Sequence, residues 1–85
     1  MAEDIREVYI SPAMNAKIND PNHRMTADDV LHACWRRTYT SWIYDDERGW
    51  RLYVEGTTES RAPAIVVLYP TTEPGLWNLG TARRA

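Results

Sequence analysis

The sequence feature that most constrains the fold is the run Ala64–Tyr69, in which every residue is apolar or aromatic. Successive side chains of an extended strand point to opposite faces, so this run presents apolar side chains on both faces. Such a strand is predicted to lie buried in the middle of a sheet. Pro63 lacks a backbone N–H group and is expected to mark the start of the strand.

Four other segments also have the composition of strands. The predicted strands are residues 7–10, 39–44, 50–55, 64–69 and 76–81. The last four are separated by short polar turns, and short turns can join antiparallel neighbours, whereas parallel neighbours need long crossovers. These four strands are therefore predicted to form an antiparallel meander.

Two helices are predicted between the first and second strands. Ser11 followed by Pro12 is typical of a helix start. Thr26 with Asp29 three residues later forms a capping-box pattern ahead of apolar residues at helical spacing. The predicted fold class is α+β, a single domain over residues 1–85 in the order β-α-α-β-β-β-β. Its twisted antiparallel sheet is expected to pack on the two N-terminal helices.

Composition limits the classes of function. The net charge is −2, with 12 acidic and 10 basic residues, which disfavours a protein that coats nucleic acid. The sequence has no signal-like N-terminus and no apolar run near the roughly 20 residues of a membrane span, so a cytoplasmic protein that does not bind membrane is expected. The lone Cys34 fits a reducing compartment. Two histidines and one cysteine lack zinc-site spacing, and no glycine-rich phosphate loop is present, so neither metal nor cofactor is expected.

Five residues are candidates for a functional site. Arg51 and Tyr53 alternate onto one face of their strand, Arg61 precedes the central strand, and Arg83 follows the last one. On an uncovered sheet face they would form a basic and aromatic patch suited to an RNA phosphate. The alternative is an ordinary solvent-exposed face with charged and aromatic residues. His23 is either a general base or a solvated residue of the loop between the helices.

Three segments of the sequence are similar to motifs of one protein family. They are H-R-M-T-A-D-D-V-L at 23–31, W-R-L-Y-V-E-G-T-T at 50–58 and L-G-T-A-R-R-A at 79–85. The corresponding family patterns are H-x-V-S-x-E-E-V, E-R-F-x-x-I-G-x-S-x-x-G-R-x-L-x-V-V-Y and I-S-A-R-x-A. The chain therefore resembles the RelE/BrnT-type toxin superfamily, small ribonuclease-like domains of bacterial toxin–antitoxin systems, over most of its length.

The resemblance implies a metal-independent endoribonuclease without a cofactor, encoded beside an antitoxin protein that covers the active face. Arg51 matches the arginine of E-R-F, Arg61 that of G-R-x-L, and Arg83 that of S-A-R-x-A. Arg61 and Arg83 are then expected to be catalytic, assisting attack of a 2′-hydroxyl on the neighbouring phosphate. Arg51, Tyr53 and His23 are expected to bind the substrate. The implied partners are the antitoxin and RNA, which includes ribosome-associated mRNA.

The sequence also departs from the family pattern. Trp50 stands where the family has a glutamate, so the acid–base residue is either missing or displaced to Glu47 or Glu55. The sequence ends at Ala85, where the family continues with a helix, and its net charge is negative where such toxins tend to be basic. These differences favour an alternative, a non-catalytic module on the same scaffold that binds a protein or forms a homodimer through an edge strand. Its docking residues would be Trp42, Tyr53 or Trp77.

Overall fold

The computed structural model of the protein describes residues 4–85, and its elements follow the predicted order. The strands are β1 (Glu7–Tyr9), β2 (Tyr39–Asp45), β3 (Gly49–Thr57), β4 (Pro63–Pro70) and β5 (Leu76–Arg84), and the helices are α1 (Pro12–Ile18) and α2 (Ala27–Trp35). The α+β class is therefore confirmed. Neither helix in this part of the chain is long and apolar enough to cross a membrane.

The five strands form one sheet in the order β1-β5-β4-β3-β2. β4 lies in its centre, as its apolar run predicts. Strands β2 to β5 pair antiparallel with their neighbours in sequence, which confirms the predicted meander. β1 instead pairs parallel with β5, so the sheet is mixed rather than wholly antiparallel. No local turn joins this pair, because the two strands are separated by both helices and three strands, and turn lengths therefore gave no sign of it.

Both helices pack on one face of the sheet, where they bury a single core. The largest fully buried apolar side chains are Ile18, Met25, Leu52, Leu68, Val30, Val54 and Val66. In β4, the even-numbered residues from Ala64 to Leu68 face the helices and are buried, whereas the odd-numbered residues from Ile65 to Tyr69 are half-buried. The prediction that β4 is buried on both faces was therefore correct for one face only, because the two short helices lie on one side of the sheet.

Both helices begin where the sequence predicts. Ser11 Oγ accepts a hydrogen bond from the backbone N–H of Met14 at 3.1 Å, and Pro12 is the first helical residue of α1. At α2, Thr26 Oγ1 accepts from the Asp29 N–H while Asp29 Oδ2 accepts from the Thr26 N–H, both at 3.1 Å. These reciprocal bonds pair amide groups that a helix start otherwise leaves unsatisfied. They fix the point at which α2 begins to cross the sheet.

α2 approaches the sheet most closely at Gly56 of β3. A Cβ atom at this position would overlap the backbone carbonyl oxygen of Ala33 and lie 2.9 Å from its carbonyl carbon. The absence of a side chain at Gly56 therefore lets the helix backbone rest directly on the strand backbone. This contact sets the height of α2 above the sheet.

Cys34 lies buried between α2 and the sheet. Burial raises the pKa of its thiol from 9.0 to about 12, because apolar surroundings disfavour the thiolate. Because the pKa is higher in the folded state, the contribution of the Cys34 thiol to the free energy of unfolding is fully present below pH 9.0. It is lost as the pH rises towards 12. We therefore expect this thiol to lower the free energy of unfolding by about 1.4 kcal/mol per pH unit in that range.

Urea unfolding of the wild type and of Cys34→Ala from about pH 8 to about pH 11 measures this effect. The stability difference between the two proteins should shrink as the pH rises, because only the wild type carries the thiol. A constant difference across the range would mean that the Cys34 thiol titrates as it does in water.

Candidate functional site

We call the face of the sheet turned away from both helices the open face. By strand register its residues are Tyr39, Ser41, Ile43, Arg51, Tyr53, Glu55, Ile65, Val67, Tyr69, Thr81 and Arg83. Three of the five predicted site residues, Arg51, Tyr53 and Arg83, belong to this set. Glu55, one of the two glutamates considered for an acid–base role, belongs to it as well.

Tyr53, Glu55 and Arg83 form a group on the open face that we call the carboxylate cluster. The Tyr53 hydroxyl donates a hydrogen bond to Glu55 Oε2 at 2.9 Å. This bond raises the pKa of Tyr53, so the phenol keeps its proton and continues to donate. Glu55 and Arg83 pair with Ile65 from opposite sides, so their Cα atoms lie two strand spacings apart, about 10 Å. A carboxylate and a guanidinium therefore flank a half-buried isoleucine.

A depression of about 220 Å³ lies beside the carboxylate cluster, at the end of the sheet. Its lining includes Glu55, Thr57, Pro63, Ile65 and Ala85. Next to it, the rings of Tyr39 and Tyr53 meet edge to face with centroids 6.3 Å apart. An exposed aromatic ring beside a polar depression offers a stacking surface for a nucleobase.

A second polar group lies at the opposite end of the open face, around the Tyr69 hydroxyl. Arg48 Nη1 lies 3.5 Å from this oxygen, and the nearby guanidiniums of Arg48 and Arg51 lower the pKa of Tyr69. Arg51 Nη1 also lies 3.8 Å from Asp45 Oδ2, while Arg51 Nε is buried without a hydrogen-bond partner. Two guanidinium groups next to a phenol can donate hydrogen bonds to a phosphate group.

Arg48 and Tyr69 were not among the candidate site residues predicted from the sequence. Tyr69 was interpreted as part of a strand buried on both faces, and Arg48 as part of a polar hairpin loop. The available signal was the strand register, since Leu52 pairs with Leu68, which brings the neighbouring residues Arg51 and Tyr69 close together on the open face. That register depends on the length of the β3–β4 loop, which the sequence pattern leaves open.

Arg61 lies in the loop between β3 and β4 and not on the open face. Its φ is +67°, and its backbone N–H donates to Thr58 O at 2.9 Å. A residue with a Cβ atom pays roughly 1–2 kcal/mol for this left-handed conformation. The loop adjoins the end of the sheet that carries the carboxylate cluster. Arg51 is six residues of β3 away from that end, about 20 Å, so the three predicted arginines do not meet at one point.

His23 lies beside the outer edge of β5, in the loop that follows α1. Its Nδ1 is 2.9 Å from Asp20 Oδ1, and this contact lowers the pKa of Asp20. Its backbone oxygen accepts a hydrogen bond from the Arg84 N–H at 3.3 Å. The imidazole thus pairs within its own loop and not with Arg51 or Tyr53. Residues 4–85 contain no group of three or more His, Cys, Asp or Glu side chains that can hold a metal ion.

The helix-bearing side of the sheet carries a separate apolar feature beyond the ends of the helices, which we call the aromatic groove. It has a volume of about 510 Å³ and is lined by Trp42, Trp50 and Pro70. The Trp42 ring contacts that of Trp77 with centroids 5.7 Å apart. Trp50, although it lies on the same face of β3 as the buried Leu52, remains 56% exposed, because the helices do not reach this end of β3.

Comparison of the chain with known protein families, with curated proteins and with solved structures found no significant match.

Proposed function

We propose that the protein is a toxin-like endoribonuclease domain that binds single-stranded RNA on the open face and cleaves it without metal or cofactor. The observation that carries this proposal is the carboxylate cluster, in which Tyr53 donates to Glu55, Arg83 lies across Ile65 from Glu55, and Glu55 lines the adjoining depression. The resemblance to RelE/BrnT-type toxins supports the same activity. It also implies a cytoplasmic site of action and an antitoxin partner that covers the open face.

In the proposed reaction, the Glu55 carboxylate takes the proton of a ribose 2′-hydroxyl. The 2′-oxygen forms a bond to the adjacent phosphorus, and the bond from phosphorus to the 5′-oxygen breaks. The products are a 2′,3′-cyclic phosphate and a 5′-hydroxyl, whose proton comes from water. Arg83 stabilises the extra negative charge on the phosphoryl oxygens, and Tyr53 holds the carboxylate by donating to it.

The remaining residues bind the rest of the strand. Arg61 extends from the β3–β4 loop towards a flanking phosphate at the same end of the sheet. Its left-handed backbone supports a functional role, because a residue held in an unfavourable conformation often serves binding or catalysis. Arg51, with Arg48 and Tyr69, binds a phosphate further along the RNA. His23, at the edge of β5, contacts the RNA if the bound RNA extends past Arg83.

Replacing Arg83 by alanine is expected to lower cleavage of a 5′-labelled single-stranded RNA by about 10²–10³-fold, because the transition state loses its guanidinium. Arg84→Ala is the matched control. It removes the same charge from the next residue, but Arg84 alternates onto the helix side, where its Nε donates to Arg24 O at 2.9 Å. Arg61→Ala should cost less, about tenfold, because the side chain reaches in from a loop.

The measurement is gel analysis of the RNA with purified proteins, together with growth and total RNA integrity after induced expression in bacteria. Equal losses for Arg83→Ala and Arg84→Ala would indicate that net charge alone matters. Intact RNA and normal growth with the wild type and with the Arg61→Ala/Arg83→Ala double variant would contradict the proposed activity.

The aromatic groove supports a second candidate function, a module that binds a protein partner. Exposed tryptophans around an apolar groove are typical of protein interfaces. In this case the wild type would leave RNA intact and would co-purify with a partner through Trp42 and Trp77 on the helix side or Tyr53 on the open face. Intact RNA together with a co-purified partner, from the same bacterial cells, would favour the binding module over the ribonuclease.

A further inference from the structure

The depression at the end of the sheet is lined by a hydroxyl group that has no partner in the described part of the chain. Thr57 and Glu55 both line this depression, and alternation along β3 puts them on the same side of the strand. Thr57 is half-buried, and within residues 4–85 its hydroxyl forms no hydrogen bond. Thr38, which also lines the depression, donates to the backbone oxygen of Glu55 at 3.4 Å. Because a hydroxyl can both donate and accept, the Thr57 side chain is available to a ligand.

Glu55 determines where a nucleobase lies in the proposed reaction. Its carboxylate takes the proton of a ribose 2′-hydroxyl, while Arg83, about 10 Å away across Ile65, stabilises the phosphate. The ribose therefore lies over Ile65. The 2′-hydroxyl and the base are bonded to adjacent carbons of the ribose, so the base lies beside the same carboxylate. The space that Glu55 lines there is the depression.

The depression suits a flat ring with polar atoms on its edge. Its volume is about 220 Å³, and Pro63 and Ile65 contribute apolar surface to its lining. Thr57 pairs with Pro63 in the β3–β4 ladder, and its Cα atom lies about 7 Å along the strand from that of Glu55. A base that rests on Pro63 therefore presents an edge to the Thr57 hydroxyl while its ribose remains at Glu55.

We propose that the depression binds the nucleobase of the nucleotide that supplies the 2′-hydroxyl, and that the Thr57 hydroxyl donates a hydrogen bond to the edge of the base nearest the ribose. This inference rests on the proposed function, because Glu55 and Arg83 place the ribose. Every base carries an acceptor on that edge, N3 in purines and O2 in pyrimidines. The contact therefore recognises the presence of a base rather than its identity, and cleavage is expected to tolerate all four bases at this position.

A double-mutant cycle between the protein and its ligand tests the contact. The ligand is adenosine 3′-monophosphate, which carries the 2′-hydroxyl, phosphate and base of the proposed complex. Its 3-deaza analogue lacks only the N3 acceptor, and Thr57→Val lacks the hydroxyl. We expect each change alone to weaken binding about fivefold, as loss of one hydrogen bond does, and both together to weaken it no further. NMR titration measures the four dissociation constants.

Thr81→Val is the matched control for the protein. Thr81 is a half-buried threonine of the open face whose hydroxyl also forms no hydrogen bond within residues 4–85, but it lies opposite Val67 and outside the lining of the depression. This variant should bind both nucleotides as the wild type does. Thr57→Ser should do so as well, because it retains the hydroxyl. The 7-deaza analogue, changed on the opposite edge of the purine, is the control for the ligand.

Equal binding of adenosine 3′-monophosphate and its 3-deaza analogue to the wild type would overturn the proposal, even if Thr57→Val failed to fold. Additive losses in the cycle, or no binding of adenosine 3′-monophosphate at about 10 mM, would overturn it too. These outcomes are measured by binding and not by cleavage. RNA cleavage without coupling in the cycle would leave the proposed function intact, whereas coupling without RNA cleavage would contradict the ribonuclease activity alone.

Discussion

Replacing Glu55 by glutamine is expected to lower RNA cleavage by about 10²–10⁴-fold, the range that a positioned general base contributes. The glutamine side chain has nearly the same size, and its carbonyl oxygen can still accept the hydrogen bond that the Tyr53 hydroxyl donates at 2.9 Å. The fold and the Tyr53 contact therefore remain, while the carboxylate that we propose as the general base is lost. The measurement is single-turnover cleavage of a short labelled RNA.

Tyr53→Phe separates positioning from proton transfer. It removes the hydroxyl that donates to Glu55 but keeps the ring that contacts Tyr39. The Glu55 carboxylate is unchanged. Because the base is retained, we expect a loss of roughly tenfold, much smaller than for Glu55→Gln. Full activity in Glu55→Gln would exclude Glu55 as the base. A larger loss in Tyr53→Phe than in Glu55→Gln would instead assign the chemistry to the phenol.

Gly56→Ala is expected to destabilise the fold by about 3 kcal/mol, at the upper end of the usual cost of overpacking. The new methyl group would overlap the carbonyl oxygen of Ala33, and this is backbone that cannot rotate away. α2 must therefore rise from the sheet and lose contact with the core. For a chain of 85 residues such a loss lowers the midpoint of thermal unfolding by roughly 10–20 °C.

Gly49→Ala provides the comparison for this prediction. Gly49 has a φ of +79°, but a Cβ atom there would meet nothing within 4 Å. Gly49→Ala should therefore lower the free energy of unfolding only through the left-handed backbone conformation, by about 1–2 kcal/mol. Urea unfolding followed by circular dichroism measures both variants. If Gly56→Ala proved no more costly than Gly49→Ala, the direct contact between α2 and β3 would be wrong.

The local elements could be predicted because their signals lie within a few residues of one another. Thr26 and Asp29 form both hydrogen bonds of the capping box that their spacing indicates. The alternation of Leu52 and Val54 correctly assigns the buried face of β3. The apolar composition of Ala64–Tyr69 correctly assigns β4 to the centre of the sheet. In each case neighbouring residues suffice, since capping and alternation are properties of the local backbone.

The composition of the candidate site could be predicted only in part. Arg51, Tyr53 and Arg83 lie on the open face, but Arg61 remains in a loop and His23 pairs with Asp20. Which groups become neighbours depends on strand register, and a change of one residue moves every side chain to the other face. The approach of Arg48 to Tyr69 across 21 residues depends on that register too.

The sequence by itself determined the element types and their order. Periodicity, caps and turn residues act over distances of a few residues, so these features can be inferred before any contact is known. The tertiary structure decided the parallel β1–β5 pair, the choice of which sheet face α2 covers at Gly56, and the position of Arg83 two strands away from Glu55. These depend on contacts between distant segments, whose energies arise only when the whole sheet and both helices pack together.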